Sequence, residues 1–592
     1  MNARVVAWLT DRRLPLWCAL CGVLLTSPSL FIGFHLDDHI HRFMLGELPG
    51  ASELRSAYES PFGIANGAPA SNHWQIEQGI APFWVHPELR VSLWRPLAEL
   101  THSLDMALWP DSAPLMHLHS LLWFGLLLAA TALLYRRVMG ATVLAGLAAL
   151  LHALDHNHGF AVGWIANRNA LVAASLGVLS LWLHVSAEQR SSRALGLLSA
   201  ALLGAALLAG EGALVIGAYI LGHALFVARG TLVSRLLALA PHLLVVIAWR
   251  GGYQLLERGA WGSGMYVDAL STPLRFLAVL PERLPLLWLG QLLGPPPELS
   301  SILAPPWTML LWCLSLLVLA LSLLALVPLL RRDRQARFWA FGAAAGLAVA
   351  CSTQPHSRLL FFVAIGAMPL LCQLWSGLIE GADWLPRPPR LRALASAVVA
   401  PAMGVHLLLS PLILPLATAS VWWVSRPVEL GLSQLARQSR ADTELVVLTA
   451  PEYFYVKLLP AVQALSGRAG PERLRPLAFG PVELTVERLD ARTLRLGYDG
   501  GILRDPFSQL YRDARLPMAT GERVRLRGVT IEVTGVTDDG RLREARVRFD
   551  RPLDAPQLRF VYWSDDGFVP VSLPLPGDRK VLPPARLTLG GV

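Results

Sequence analysis

Acidic and histidine side chains are concentrated in one short polar segment, His35-Leu36-Asp37-Asp38-His39-Ile40-His41-Arg42, directly after an apolar run. A carboxylate held beside a hydroxyl can act as the general base of a group transfer. Two adjacent carboxylates can also hold Mg²⁺ or Mn²⁺. Ionisable groups beside a run long enough to cross a bilayer are candidates for function because their desolvation is costly. We therefore expect catalysis at Asp37 or Asp38, supported by His39 and His41, with a polar cap on a helix end as the alternative.

Three arginines follow apolar or aromatic segments and are candidates for binding a phosphate. Arg95 stands in the loop before Pro96, Arg168 follows a histidine-rich connection, and Arg358 opens a later apolar run. Arginine suits phosphate because its planar guanidinium presents several donors in a fixed fork. The alternatives are a place in the lipid headgroup region for Arg95 and a structural ion pair with Asp155 for Arg168.

Asp105, His156 and Glu211 are further candidates that would support this chemistry. Glu211 lies between two glycines and two apolar runs, where a carboxylate needs a partner. His156 and His158 have the spacing of a metal-binding pair on a short loop, and polar packing is the alternative for both.

The composition indicates what kind of secondary-structure elements must position these residues. Of the 592 residues, 54% are hydrophobic and only 16% are charged, with a mean hydropathy of +0.46. A soluble protein has about 25% charged residues, so an ordinary cytosolic enzyme and a disordered chain are excluded. Eleven apolar runs between residues 14 and 423 predict about eleven transmembrane helices. Residues 1–423 are thus the predicted membrane domain, with long outer loops at 35–114 and 250–305.

Arginine placement predicts the orientation of this domain. Arginines cluster in the connections that would be cytoplasmic if the N-terminus is inside, as the positive-inside rule requires. The clearest are Arg12, Arg13, Arg136, Arg137, Arg331 and Arg332. An odd number of crossings then places the C-terminal domain outside the cytoplasm. The net charge of +9 is explained by this sorting, so we expect no nucleic-acid partner.

Residues 424–592 are charge-rich and predict an α+β domain. Alternating stretches such as Val529-Thr530-Ile531-Glu532-Val533 indicate strands, and Asp538-Asp539-Gly540 is typical of a hairpin turn. A short strand over 444–448 and a helix over 451–465 precede them. No nucleophile–base pair is apparent in this domain.

The order of these motifs resembles the multi-pass glycosyltransferases of the C-type superfamily, especially the tetratricopeptide-repeat O-mannosyltransferases and their bacterial relatives. The matching residues are Asp37 or Asp38, Arg95-Pro96-Leu97, Asp105, Leu108-Trp109, His117, Leu151-His152, His156, Trp164 and Arg168. Glu211 resembles a Lys-Glu pair of that family, although Gly210 precedes it here. The resemblance covers roughly residues 14–230 and includes no tetratricopeptide repeat.

The resemblance implies transfer of a sugar from a polyprenyl-phosphate donor to a glycan, lipid or protein acceptor on the outer face of a bacterial inner membrane. It also implies that a membrane-embedded helical domain carries the site. The alternatives are a non-catalytic membrane protein, such as a transporter or an envelope assembly factor with a periplasmic domain, and a family member that has lost its activity.

Overall fold

The computed structural model describes residues 3–48, 51–385, 388–505, 507–565 and 567–586. The chain divides into two compact units. The first, here called the helical unit, comprises Met1–Gly33, Trp94–Leu256 and Ala269–Trp422. The second, here called the sheet unit, comprises Phe34–Leu93, Glu257–Asp268 and Trp423–Val592.

The segments 34–93 and 257–268, which lie within the outer loops predicted at 35–114 and 250–305 apart from residue 34, group with the C-terminal part in this division. The physical reason is that these segments bury apolar side chains of their own, among them Phe43 and Trp84, and form a small sheet.

The helical unit consists of α-helices that follow the predicted apolar runs. Its helices are Ala3–Thr10, Leu14–Thr26, Pro96–Leu108, Ala113–Met139, Val143–Leu154, Gly159–Gly163, Arg168–Arg190, Arg193–Ala209, Leu214–Phe226, Leu232–Leu237, Ala240–Leu255, Pro273–Leu293, Pro305–Arg332, Arg334–Ala350, Phe361–Glu380 and Pro389–Gly404. A π-helical turn over Val405–Leu409 joins the last of these to the helix Ser410–Gln438. Large apolar side chains such as Leu24, Leu122 and Leu412 are exposed along these helices. Exposed leucines of this kind are expected where helices face lipid.

Seven helical stretches of the described residues are long and apolar enough to cross a membrane. They are Leu14–Phe31, Ala113–Met139, Ile165–Arg190, Pro273–Leu293, Pro305–Arg332, Phe361–Glu380 and Pro389–Gln438. Five other predicted runs form helices of 12 to 17 residues, shorter than the ~20 residues that one crossing needs. A membrane-embedded helical architecture is therefore confirmed, and the number of crossings stays a prediction.

Residues 273–293 depart from the predicted outer loop over 250–305. They form one helix of 21 residues despite the internal Pro281 and Pro285. Its second half is buried, with Leu287 and Leu289 almost inaccessible. Both prolines and Trp288 interrupt the apolar pattern of this segment. Packing against neighbouring helices outweighs those interruptions.

The described residues of the sheet unit form three β-sheets, and the α+β fold expected for the C-terminal region is confirmed. A six-stranded antiparallel sheet has the order Arg579–Leu582, Leu484–Arg488, Thr493–Tyr498, Leu542–Phe549, Val529–Val536 and Arg523–Leu526. A four-stranded sheet has the order Gly567–Pro570, Leu558–Ser564, Glu444–Val447 and Arg473–Pro476. Gly63–Asn66, Arg90–Ser92 and Gly259–Trp261 form the third sheet. The predicted hairpin turn at 538–540 joins two adjacent strands of the first sheet.

Short helices of the sheet unit connect these strands and carry the residues of interest. They are Asp37–Leu45, Ser52–Arg55, Pro69–Glu77, Phe454–Lys457 and Leu459–Leu465. The single helix predicted over 451–465 is thus two helices. They form the crossover between the parallel strands Glu444–Val447 and Arg473–Pro476.

Candidate functional site

Asp38 is an internal hydrogen-bond acceptor of the turn that starts the helix Asp37–Leu45. Its side chain is 2% exposed, and its Oδ2 accepts the backbone N–H of His35 at 2.9 Å. Leu36, which follows His35, has φ 51° and ψ −124°, a backbone conformation that residues other than glycine rarely adopt. Backbone strain of this kind is concentrated at functional sites. The strained turn places Asp37 at the first position of the helix.

Asp37 differs from its neighbour because its carboxylate is open. It is half-buried, and within the described part of the chain it makes no hydrogen bond or ion pair. Its electrostatic surroundings are the ammonium of Lys457 and the buried phenols of Tyr453 and Tyr511. Asp37 therefore has the availability that a general base needs, whereas Asp38 maintains the turn.

Lys457 is the neighbour of Asp37 that the sequence analysis missed. Its side chain is 7% exposed, and the ammonium lies 5.4 Å from the centre of the Tyr453 ring. Burial lowers the pKa of Lys457, and the negative charge of Asp37 opposes that shift. The Tyr58 hydroxyl fixes the backbone here by donating to the Lys457 carbonyl at 2.6 Å. The one available signal was rarity, since Lys457 and Lys580 are the only lysines in the chain.

His39 and His41 brace the same helix. His39 Nε2 lies 2.9 Å from Glu429 Oε1, and the His41 ring packs edge-on against Phe62 at 4.7 Å. His41 is buried. Both contacts hold the helix in place.

In the helical unit, Arg95 and Glu211 form an ion pair across 116 positions of sequence. Arg95 Nε and Nη2 lie 2.9 and 2.8 Å from Glu211 Oε2, and the Tyr253 hydroxyl donates to Oε1 at 3.2 Å. Both charged side chains remain about one-fifth exposed. The partner that a carboxylate at Glu211 required is therefore Arg95, which precedes the helix Pro96–Leu108.

Arg168 and Asp105 form a second ion pair, which is fully buried. Arg168 Nε also donates to Ser120 Oγ at 3.0 Å, and Nη2 donates to the Met116 carbonyl at 2.7 Å. His119 Nδ1 lies 2.7 Å from the other oxygen of Asp105. These surroundings argue against the phosphate-binding role predicted for Arg168. They favour the alternative of a structural ion pair, with Asp105 in place of Asp155.

Arg358 is the predicted phosphate ligand with open donors. Its guanidinium lies 5.3 Å from the centre of the Trp164 ring, and its side chain makes no hydrogen bond to the described residues. Burial lowers the pKa of the neighbouring His356 to about 4, with Glu298 opposing and Arg358 reinforcing the shift. The imidazole beside Arg358 is therefore neutral at physiological pH.

His156 belongs to a buried network that is separate from these groups. Its Nδ1 lies 2.8 Å from Ser410 Oγ, and its Nε2 lies 3.3 Å from the Gly294 carbonyl. Asp155, fully buried beside it, accepts Gln291 Nε2 at 2.8 Å. Over the described residues, no group of three or more histidine, cysteine or acidic side chains is arranged to hold a metal ion. Polar packing accounts for His156.

Comparisons with known proteins found similar solved structures at low sequence identity. No protein-family model and no curated protein matches it. The Archaeoglobus fulgidus oligosaccharyltransferase tethered to an acceptor peptide with the NVT sequon is 13% identical, with a TM-score of 0.40 over 79% of this chain and 64% of that one. ArnT from Cupriavidus metallidurans in the apo state is 13% identical, with a TM-score of 0.39 over 77% of this chain and 88% of that one.

A second archaeal structure is the oligosaccharyltransferase AglB from Archaeoglobus fulgidus, in complex with an inhibitory peptide and a dolichol-phosphate. It is 12% identical, with a TM-score of 0.34 over 79% of this chain. The chain spans 64–65% of the length of the two archaeal proteins. All three of these structures match this chain at 12–13% sequence identity.

Proposed function

We propose that this protein is a glycosyltransferase that moves a sugar from a polyprenyl-phosphate donor to a hydroxyl acceptor on the outer face of a bacterial inner membrane. The observation that carries the proposal is the open carboxylate of Asp37, placed at a helix start by a strained turn. Asp38, by contrast, is already hydrogen-bonded. A carboxylate with no internal partner is available to take a proton from a substrate.

The proposed reaction is a displacement at the anomeric carbon of the donor sugar. Asp37 accepts the proton of the acceptor hydroxyl while the hydroxyl oxygen forms the new glycosidic bond to the anomeric carbon. The bond from the anomeric carbon to the phosphate oxygen breaks, and its electron pair leaves with the lipid phosphate. As a separate part of the proposal, the open guanidinium donors of Arg358, in the helical unit, bind phosphate oxygens.

Arg95 is proposed to contribute through its ion pair with Glu211. Because Glu211 neutralises part of its charge, Arg95 is a weaker phosphate ligand than Arg358. Tyr253 and Glu211 then act as positioning residues that set the direction of the guanidinium.

A divalent cation fits the donor chemistry at Asp37. Mg²⁺ in phosphate-transfer sites is usually held by one or two carboxylates, with water and substrate phosphate completing its shell. The open oxygens of Asp37 would supply the protein ligand. The cation would neutralise charge on the leaving phosphate. None of the roles assigned to this chain's side chains depends on it.

The proposed location is the inner membrane, with the N-terminus in the cytoplasm and the C-terminal domain outside. The apolar helices support a multi-pass protein, and the arginine-rich connections support this orientation. Cysteine substitutions at Arg334 and Arg543 test it by labelling with a membrane-impermeant thiol reagent. We expect labelling from outside only at position 543.

The test of catalysis compares Asp37→Asn, Asp38→Asn and Arg358→Met in membranes that contain equal amounts of protein. We expect Asp37→Asn to lower glycan transfer to the envelope at least ~100-fold, as loss of a general base does. Arg358→Met should lower it by a comparable factor. Asp383→Asn and Arg334→Met, at exposed positions, are the matched controls.

Addition of a chelator to the same assay shows whether a divalent cation takes part. Unchanged glycans in Asp37→Asn at normal protein level would contradict the enzyme assignment. They would favour a non-catalytic transporter or assembly factor with a periplasmic domain.

A further inference from the structure

A polar cleft of about 450 Å³ opens in the sheet unit. Its lining includes part of the helix Leu459–Leu465 but neither Asp37 nor Lys457. Its walls come from the helix Pro69–Glu77 and from residues 463–474. The side chains that characterise it are Trp74, Gln463, Arg468, Glu472, Arg473 and Arg527. A volume of this size is typical of sites for small organic ligands.

The charge of the cleft is positive because its carboxylates are already paired. Glu472 accepts Arg473 Nη2 at 3.0 Å, and Glu77 accepts the backbone N–H of Arg527 at 2.7 Å. Arg468 is exposed, and its side chain makes no hydrogen bond or ion pair with the described residues. The Arg527 guanidinium lies 5.9 Å from the centre of the Trp74 ring rather than on a carboxylate. Two guanidiniums are therefore available to an anion.

An unpartnered amide oxygen specifies the second property of the ligand. Gln463 is 2% exposed, and its Oε1 has no hydrogen-bond partner among the described residues. A buried carbonyl oxygen without a donor is costly, so a ligand that supplies a hydroxyl group would be stabilised here. Trp74 adds a half-buried aromatic surface in the same cleft.

We propose that this cleft binds a saccharide that carries a carboxylate or phosphate group. The C–H face of a sugar ring packs on an indole ring, a sugar hydroxyl donates to Gln463, and the anionic group pairs with Arg468 and Arg527. Neither a neutral sugar nor a simple anion satisfies all three features. The site goes beyond the proposed transfer reaction and does not depend on it.

The test is calorimetric titration of the full-length protein in lipid nanodiscs. The probes are trigalacturonate, which carries carboxylates, mannose 6-phosphate, which carries a phosphate, and the neutral trisaccharide maltotriose. We expect one of the two anionic sugars to bind at least ~10-fold more tightly than maltotriose, because an arginine–anion contact is charge-assisted. The anionic sugar that binds more tightly identifies the group.

Variants locate the binding in this cleft. Arg468→Ala should weaken binding of the anionic sugar about 10-fold, and it removes no side-chain hydrogen bond or ion pair among the described residues. Trp74→Ala should weaken it as well, whereas Arg543→Ala, at an exposed position on a strand, should not. Absence of binding by both anionic sugars, equal affinity for maltotriose, or equal affinity in Arg468→Ala and Arg543→Ala would each overturn the proposal. Tighter binding of a polyglutamate peptide would overturn the assignment of a saccharide.

Discussion

Arg168 is the residue at which structural and functional roles can be separated most sharply. The sequence predicts a phosphate ligand there, whereas the structure shows a fully buried guanidinium paired with Asp105. Replacing Arg168 by methionine keeps much of the side-chain volume and removes the charge. It leaves the Asp105 carboxylate buried with His119 as its remaining partner. The expected consequence is loss of stability rather than selective loss of activity.

The magnitude follows from what is left unpaired. Removing one member of a buried ion pair costs about 3–5 kcal/mol because the other charge stays buried without compensation. The Ser120 hydroxyl and the Met116 carbonyl also lose their donor. Arg358 provides the contrast, since its side chain packs on the Trp164 ring and makes no hydrogen bond to the described residues. A cation–π contact at a partly exposed site is worth about 0.5–1 kcal/mol, so Arg358→Met should cost no more than that.

Thermal unfolding of both variants in the same detergent measures the difference. For a chain of this length, a loss of 3–5 kcal/mol lowers Tm by about 2–4 °C, and a loss of 1 kcal/mol lowers it by about 1 °C. The double variant Asp105→Leu/Arg168→Met should recover part of the loss, because replacing both members of a buried pair is often neutral. If Arg168→Met is no less stable than Arg358→Met, the reasoning from burial is refuted.

Two further predictions concern the sheet unit and helix packing. Burial, with Asp505 adding to it, raises the pKa of Glu452 from 4.5 to about 8. The folded state therefore binds this proton more tightly, and the free energy of unfolding should fall as pH rises from about 4.5 through 8. Urea unfolding at pH 5, 6.5 and 8 should show a flatter dependence for Glu452→Gln than for the exposed control Glu483→Gln. An equal slope would contradict this assignment. A Cβ at Gly163 would lie 2.2 Å from the Thr418 carbonyl oxygen, whereas one at Gly217 meets nothing within 4 Å. Gly163→Ala should cost about 1–3 kcal/mol through overpacking, and Gly217→Ala should not lower Tm. Equal Tm values for the two would show that the helices separate easily.

Several features of this protein were predictable because they depend on neighbours along the chain. Low charge and long apolar runs indicated a membrane-embedded helical architecture, and alternation of apolar residues indicated the strands near 529–533. Turn chemistry located the hairpin at 538–540. A carboxylate placed directly after an apolar run also identified Asp37 and Asp38 as candidates, because polarity changes abruptly there.

The roles of individual charges required the tertiary structure. Residue types alone do not show which of two adjacent carboxylates is occupied, and the decision between Asp37 and Asp38 depends on one backbone N–H, that of His35. Partners of buried charges are equally non-local. Arg168 is paired with Asp105 rather than with Asp155, which is nearer to it along the sequence. Helix packing brings Asp105 to Arg168 and Gln291 to Asp155.

Proximity between distant segments also decided what the sequence analysis missed. Lys457 carries no motif, and only folding of the sheet unit brings its ammonium into the surroundings of Asp37. The polar cleft combines Trp74 with Gln463, which are far apart along the chain. Hydropathy and periodicity thus determined which segments are helices, strands or lipid-facing, because the solvent acts on each segment separately. Packing alone determined which charges are paired and which are open, because pairing depends on the segments that meet in three dimensions.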